Sequence, residues 1–182
     1  MSTTKDITVR EFIKEYLIDQ IGEIKEKYPY LAFLLMSVGI EFLGKCQSSD
    51  DWNANKSNSK QDFGKGLNIK PLDVYKNLDL YKNLRCGLAH SLLTKGQLAL
   101  SNKGEKSAIN CDEFYEKFKE ACEQVINGKK DENKKIYING NIEIKKDLDD
   151  IFFTITQTQN ATNGTVSSVT STTQINQSKT TI

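Results

Sequence analysis

The stretch "LYKNLRCGLAHSLL", Leu80 to Leu93, carries two residues whose types and spacing can do chemistry. They are Arg85 and, five positions on, His90, the single histidine in 182 residues. A histidine with an ordinary pKa of ~6.5 takes or gives a proton at neutral pH. An arginine stays charged and offers a planar fork to a phosphate. Together they suit attack of a ribose 2′-hydroxyl on the adjacent phosphorus without a metal. His90 would act as acid/base and Arg85 would stabilise the developing charge. Tyr81, Lys82 and Asn83 from the same run, and Lys95 just beyond it, are candidate substrate-binding helpers. Residues 60–95 hold seven bases against three acids, a local net charge of +4. A solvated, lysine-rich surface explains that excess equally well.

Spacing alone sets a difficulty. In a regular α-helix residues five apart point about 140° away from each other, at ~100° per residue. Two circumstances bring Arg85 and His90 together: a helix loosened at Gly87, or two protomers paired about a two-fold axis so that both motifs line one cleft. The plain alternative is that Arg85 pairs with Glu41 or Asp79, and that His90 is a helix-end or interface residue.

Other chemistries find little footing. Cys46, Cys86, Cys111 and Cys122 form no CxxC pair, and one histidine cannot complete a zinc set, so neither metal nor cofactor is expected. Gly64 and Gly66 lack phosphate-loop spacing, and no Gly-x-Ser-x-Gly elbow occurs. Cys86 and His90, four apart, would need a lowered thiol pKa and a third, orienting group to act as a dyad. Cysteines in apolar helical settings point to a reducing, cytoplasmic compartment. The N-terminus has no signal-peptide pattern. The run "LAFLLMSVGI" (31–40) is shorter than the ~20 residues a bilayer needs, and is expected to be a helix buried on most sides. A net charge of +1 gives no global pull toward a polyanion.

The elements that must position the pair are helices. "TVRE" is a capping box that starts the first, which then carries Phe12, Ile13, Tyr16, Leu17, Ile21 and Ile24 at helical spacing. The second runs from about Tyr30 to Cys46, with Gly39 and Gly44 suited to close helix approach or to the helix end. Residues 47–70 are polar and aperiodic. At about 25 residues they exceed the ~12–15 usual for a structureless connection. The third helix is expected from Pro71 onward, with Leu80, Leu84, Leu88 and Leu92 as its core stripe. "GQLALSNKGEKSAIN" reads as a small hairpin. Asn110 and Glu113 cap a fourth helix with Phe114, Phe118, Ala121, Cys122 and Val125 inward, and Asn139-Gly140 turns a second hairpin. From Thr154 the chain carries one charged side chain and is expected to be a disordered Thr/Ser-rich tail (154–182) on a domain spanning 1–153. The expected fold is mainly α: an antiparallel four- to five-helix bundle with one or two short β-hairpins.

The segment "LYKNLRCGLAHSLL", following "GIEFLGKC" and a long connection, resembles the HEPN superfamily of small helical bundles. Its signature is Arg-x4–6-His late in a helix. Arg85 and His90 match it, with Leu84, Gly87 and Leu88 as flanking positions, and the resemblance covers roughly residues 8–127. It implies a homodimer with the two motifs facing across a cleft. It also implies either a metal-independent endoribonuclease of a bacterial defence or toxin–antitoxin setting, or a non-catalytic RNA-binding, nucleotide-binding or protein-interaction module. Active members commonly carry a polar residue, often Asn, directly after the arginine, where this chain has Cys86.

Overall fold

Capping chemistry starts the first helix where its residues dictate. The Thr8 N–H donates to Glu11 Oε2 at 2.8 Å, and the Glu11 N–H returns to Thr8 Oγ1 at 3.2 Å. The computed structural model describes residues 2–52, 58–94, 98–101, 108–131, 133 and 136–158. These are mostly helical, with small sheets of two and three strands. They fall into two compact units: the two chain ends, up to Phe12 and from Leu148, and the stretch Ile13–Asp147.

In the first unit β1 (Ser2–Thr8) pairs antiparallel with β7 (Ile151–Thr158), Asp6 opposite Thr154, and α1 (Val9–Phe12) follows β1. Arg10 grips Asp149 with two prongs, Nε–Oδ1 at 2.8 Å and Nη2–Oδ2 at 3.3 Å. The Phe12 ring lies 5.4 Å from that of Phe152. The tail expected from Thr154 is strand as far as Thr158, where β7 ends. Phe152 and Phe153 give the strand aromatic contacts to Phe12, and its threonines suit a ladder of backbone bonds, which tolerates β-branched polar residues. Residues 159–182 lie outside the described residues.

In the second unit a helical run of wide π-type turns (Ile13–Gln20) leads into α2 (Ile21–Lys25). Then comes α3 (Pro29–Cys46), opened by Pro29 in its first turn, where a missing N–H costs nothing. It is the one described helix long and apolar enough to cross a membrane, but half of it is buried inside the protein. Its inner face is Phe33, Met36, Ile40 and Leu43; Leu31, Leu35 and Val38 are exposed. Burial on most sides is thus corrected to burial on one face.

The aperiodic reading of 47–70 is also corrected: α4 (Ser59–Leu67) occupies its second half, with Phe63 and Leu67 buried one turn apart. Glycine is a poor helix former, and Gly64 and Gly66 diluted the pattern. Packing overrides that, because α3 and α4 meet backbone to backbone. A Cβ on Gly44 would stand 1.6 Å from the Asp62 carbonyl oxygen, and one on Gly66 1.9 Å from that of Ile40. Asp62 is buried beside this crossing, accepting from Ser48 Oγ at 2.8 Å with Lys65 Nζ 3.8 Å away.

The third helix is not continuous. A 3-10 segment (Lys70–Leu78) ends at Asp79, whose φ of 44° breaks the run; π-type turns (Tyr81–Cys86) and α5 (Gly87–Ser91) follow. Leu80, Leu84 and Leu88 are buried as expected. Leu92 is not: it is 67% exposed, because the helix stops at Ser91 and Leu92 turns left-handed at φ 55°. β2 (Ala99–Ser101) and β3 (Ala108–Asn110) pair in parallel, which corrects the expected hairpin, and its "NKGE" turn lies outside the described residues.

In α6 (Cys111–Ile126) the Asn110 side chain accepts from the Glu113 N–H at 2.9 Å. Asn110→Ala is expected to cost about 1 kcal/mol in urea unfolding, and Asn110→Ser little. Phe114 packs on Phe33 and Tyr75, with centroids 5.7 and 4.9 Å apart. β4 (Lys129–Asp131), β5 (Ile136–Asn139) and β6 (Ile142–Ile144) form an antiparallel sheet, with Gly140 at φ 58° in the β5–β6 turn as the Asn-Gly pair predicts. Past β6, the Lys145 and Lys146 N–H groups both donate to the Cys46 carbonyl, tying this sheet to the end of α3.

Candidate functional site

Arg85 sits in the π-type turns against α3, where Leu84 is drawn fully into the core and its neighbour is left half-buried. Its Nε donates to Glu41 Oε2 at 2.7 Å, the side chains being 21% and 20% exposed. Of the two carboxylates expected as partners, Glu41 is the one used. Among the described residues this is the only bond the guanidinium makes. No fully buried side-chain nitrogen or oxygen lacks a partner among them, so neither Nη nitrogen is fully buried. Arg10 makes the contrast, with two prongs committed to Asp149.

His90 stands on the last turn of α5, exposed and with no hydrogen bond or ion pair among the described residues. From Gly87 to Ser91 the backbone is α-helical. At ~100° per residue, positions five apart point to different faces, and no bond joins Arg85 and His90 among the described residues. Gly87 is buried at the point where the wide turns give way to the α-helix.

The helper residues divide. Lys82 is exposed. Tyr81 turns toward α4, its hydroxyl 3.2 Å from Ser59 Oγ and its ring edge-on to Phe63 at 5.6 Å. Asn83 Nδ2 donates to the Leu78 carbonyl at 3.3 Å, closing the turn that Asp79 opens. Lys95 lies outside the described residues.

Cys86 is half-buried, and no hydrogen bond joins it to His90 among the described residues. The other three thiols are buried, and burial pushes Cys46 up to about 12, Cys111 to about 11 and Cys122 well above the ordinary range. One thiol, Cys86, is therefore expected to react with Ellman's reagent in the folded protein, and four after denaturation; more than one fast native thiol would contradict this burial.

Beside His90 the surface is apolar. Tyr28, Tyr30, Leu31, Leu34, Leu88 and Leu92 line a groove of about 320 Å³ with no polar lining. Leu92 and Leu93, the two residues after α5, are about two-thirds exposed. An exposed leucine held in a left-handed conformation, where glycine is favoured, is a strained feature one residue past the end of the motif helix. Sequence reasoning assigned Leu92 to the core; its position just past a C-terminal turn was the signal that it leaves the stripe.

No protein-family model, no curated protein and no solved structure matches this chain.

Proposed function

We propose that the protein is a HEPN-like, metal-independent endoribonuclease acting as a homodimer, with Arg85 as phosphate clamp and His90 as acid/base. The observation that carries this is the state of Arg85: bonded at Nε, with no bond to either Nη nitrogen among the described residues. A guanidinium held that way meets a phosphate end-on with two charge-assisted bonds. His90, on another face of the helix and without a partner among the described residues, is exposed to act on a substrate held by a second copy. The groove and the exposed Leu31, Leu35, Val38, Leu92 and Leu93 supply apolar surface for that copy next to the motif. In this reading the helical segments of Ile13–Asp147 are an antiparallel four- to five-helix bundle in a reducing, cytoplasmic setting.

The second reading is a non-catalytic helical interaction module. It is favoured by the Glu41 carboxylate, which already neutralises Arg85 within the chain.

Cleavage of RNA in EDTA separates the two. Wild type is expected to cut, and Arg85→Ala and His90→Ala each to lose about 100-fold or more. Activity that survives in both variants removes the site assignment. Equal inactivity of all three, with a dimer seen in sedimentation, leaves the interaction module.

A further inference from the structure

We infer that Glu41 is a positioning residue: from α3 it fixes Arg85 at Nε and so holds the two Nη nitrogens as an end-on fork for a phosphate oxyanion. This rests on the reading of Arg85 as a phosphate clamp, and adds the group that makes it one. An unheld arginine side chain samples many rotamers, and each must be frozen before a bidentate contact forms. One bond at Nε removes that freedom and consumes none of the end-on edge.

The geometry bears this out at each point. Glu41 Oε2 takes Nε alone, at 2.7 Å. Both side chains are about four-fifths covered, so the Nε–Oε2 bond is partly screened from water. Glu41 lies on the long helix α3, and Leu84, next to Arg85, is fully buried, so both partners are mounted on rigid parts. Where this molecule uses an arginine to join two segments, at Arg10 and Asp149, both prongs close on the carboxylate. At Arg85 they do not.

The chain has two arginines, Arg10 and Arg85, so 15N-arginine labelling gives two Nε–H signals, and Arg85→Lys identifies the second. Titration with inorganic phosphate is expected to shift the Arg85 signal in wild type. Glu41→Ala should weaken that response by about ten-fold, and Glu41→Gln, which still accepts from Nε, should retain most of it. In wild type the Arg85 Nε–H should exchange with water more slowly than in Glu41→Ala. If Glu41→Ala binds phosphate as well as wild type or better, Glu41 is only a competing counter-ion and the inference falls. If phosphate leaves Arg85 unmoved in wild type, clamp and positioning fall together. If phosphate binds with this dependence on Glu41 and RNA is not cut, the nuclease reading alone fails.

Discussion

Alanine at Gly44 or Gly66 is expected to destabilise the fold by about 3 kcal/mol or more. The obstacle in each case is a carbonyl oxygen of the opposing backbone, 1.6 Å from the new methyl carbon at Gly44 and 1.9 Å at Gly66. A flexible side chain can swing away; a peptide group inside a helix cannot move without its helix. The two helices would have to separate, opening the buried contacts of Ile40, Leu43, Phe63 and Leu67 together. Gly64, also in α4, is the internal control: a Cβ there meets nothing within 4 Å. Gly64→Ala should be neutral or stabilise by about 0.5–1 kcal/mol, because alanine loses less freedom on folding. Urea unfolding of the three variants checks this. A Gly44→Ala midpoint equal to that of Gly64→Ala would mean that α3 and α4 do not cross as described. Because Glu41 lies one turn before Gly44, a separated crossing should also cost Arg85 its anchor.

How much of this was legible in the sequence follows from how local each signal is. The caps of the first and last long helices needed only residues three apart, Thr8 with Glu11 and Asn110 with Glu113, and both are made. The Asn139-Gly140 turn is equally local. The α4 helix was hidden because its stability comes from Gly44 across the chain, while its own glycines argue against helix. The continuation of β7 past Thr154 was hidden because its partner β1 lies some 150 residues away in sequence, and pairing across that distance leaves no mark in a threonine-rich run. The break at Asp79 carries no glycine or proline to mark it, and the leucine stripe begins only after it, at Leu80. At the site, residue types named Arg85, His90 and the Glu41 partner. Which nitrogen of the fork Glu41 takes is a matter of tertiary geometry, and it decides whether the pair is a staple or a mount.

Stability is expected to fall steeply between about pH 9 and pH 12. Burial pushes the thiols of Cys46 and Cys111 from 9.0 to about 12 and about 11, raises Cys122 further, and pushes the Tyr75 and Tyr115 hydroxyls from 10.0 to about 12. The folded chain therefore keeps protons that the unfolded chain gives up. Below pH 9 both states are protonated and the fold has its full stability; as pH climbs past the unfolded values, each ionisation stabilises the unfolded chain alone. At about 1.4 kcal/mol per pKa unit, Cys46 by itself contributes a loss of roughly 4 kcal/mol by pH 12, comparable with much of the 5–15 kcal/mol typical of a domain. Lys25, raised mainly by its hydrogen bond to Asp112, adds to the loss as pH climbs from the ordinary value of 10.5 through its raised folded value. Lys146, lowered chiefly by burial, works the other way, since its unfavourable buried charge is relieved at high pH. One lysine does not offset five buried acids. Urea midpoints by circular dichroism at pH 7, 9 and 10.5 should drop at the last step. Cys46→Ala should start less stable, because it leaves a cavity, but decline less steeply with pH. An unchanged slope in that variant would show that the Cys46 thiol is not shielded as its burial requires.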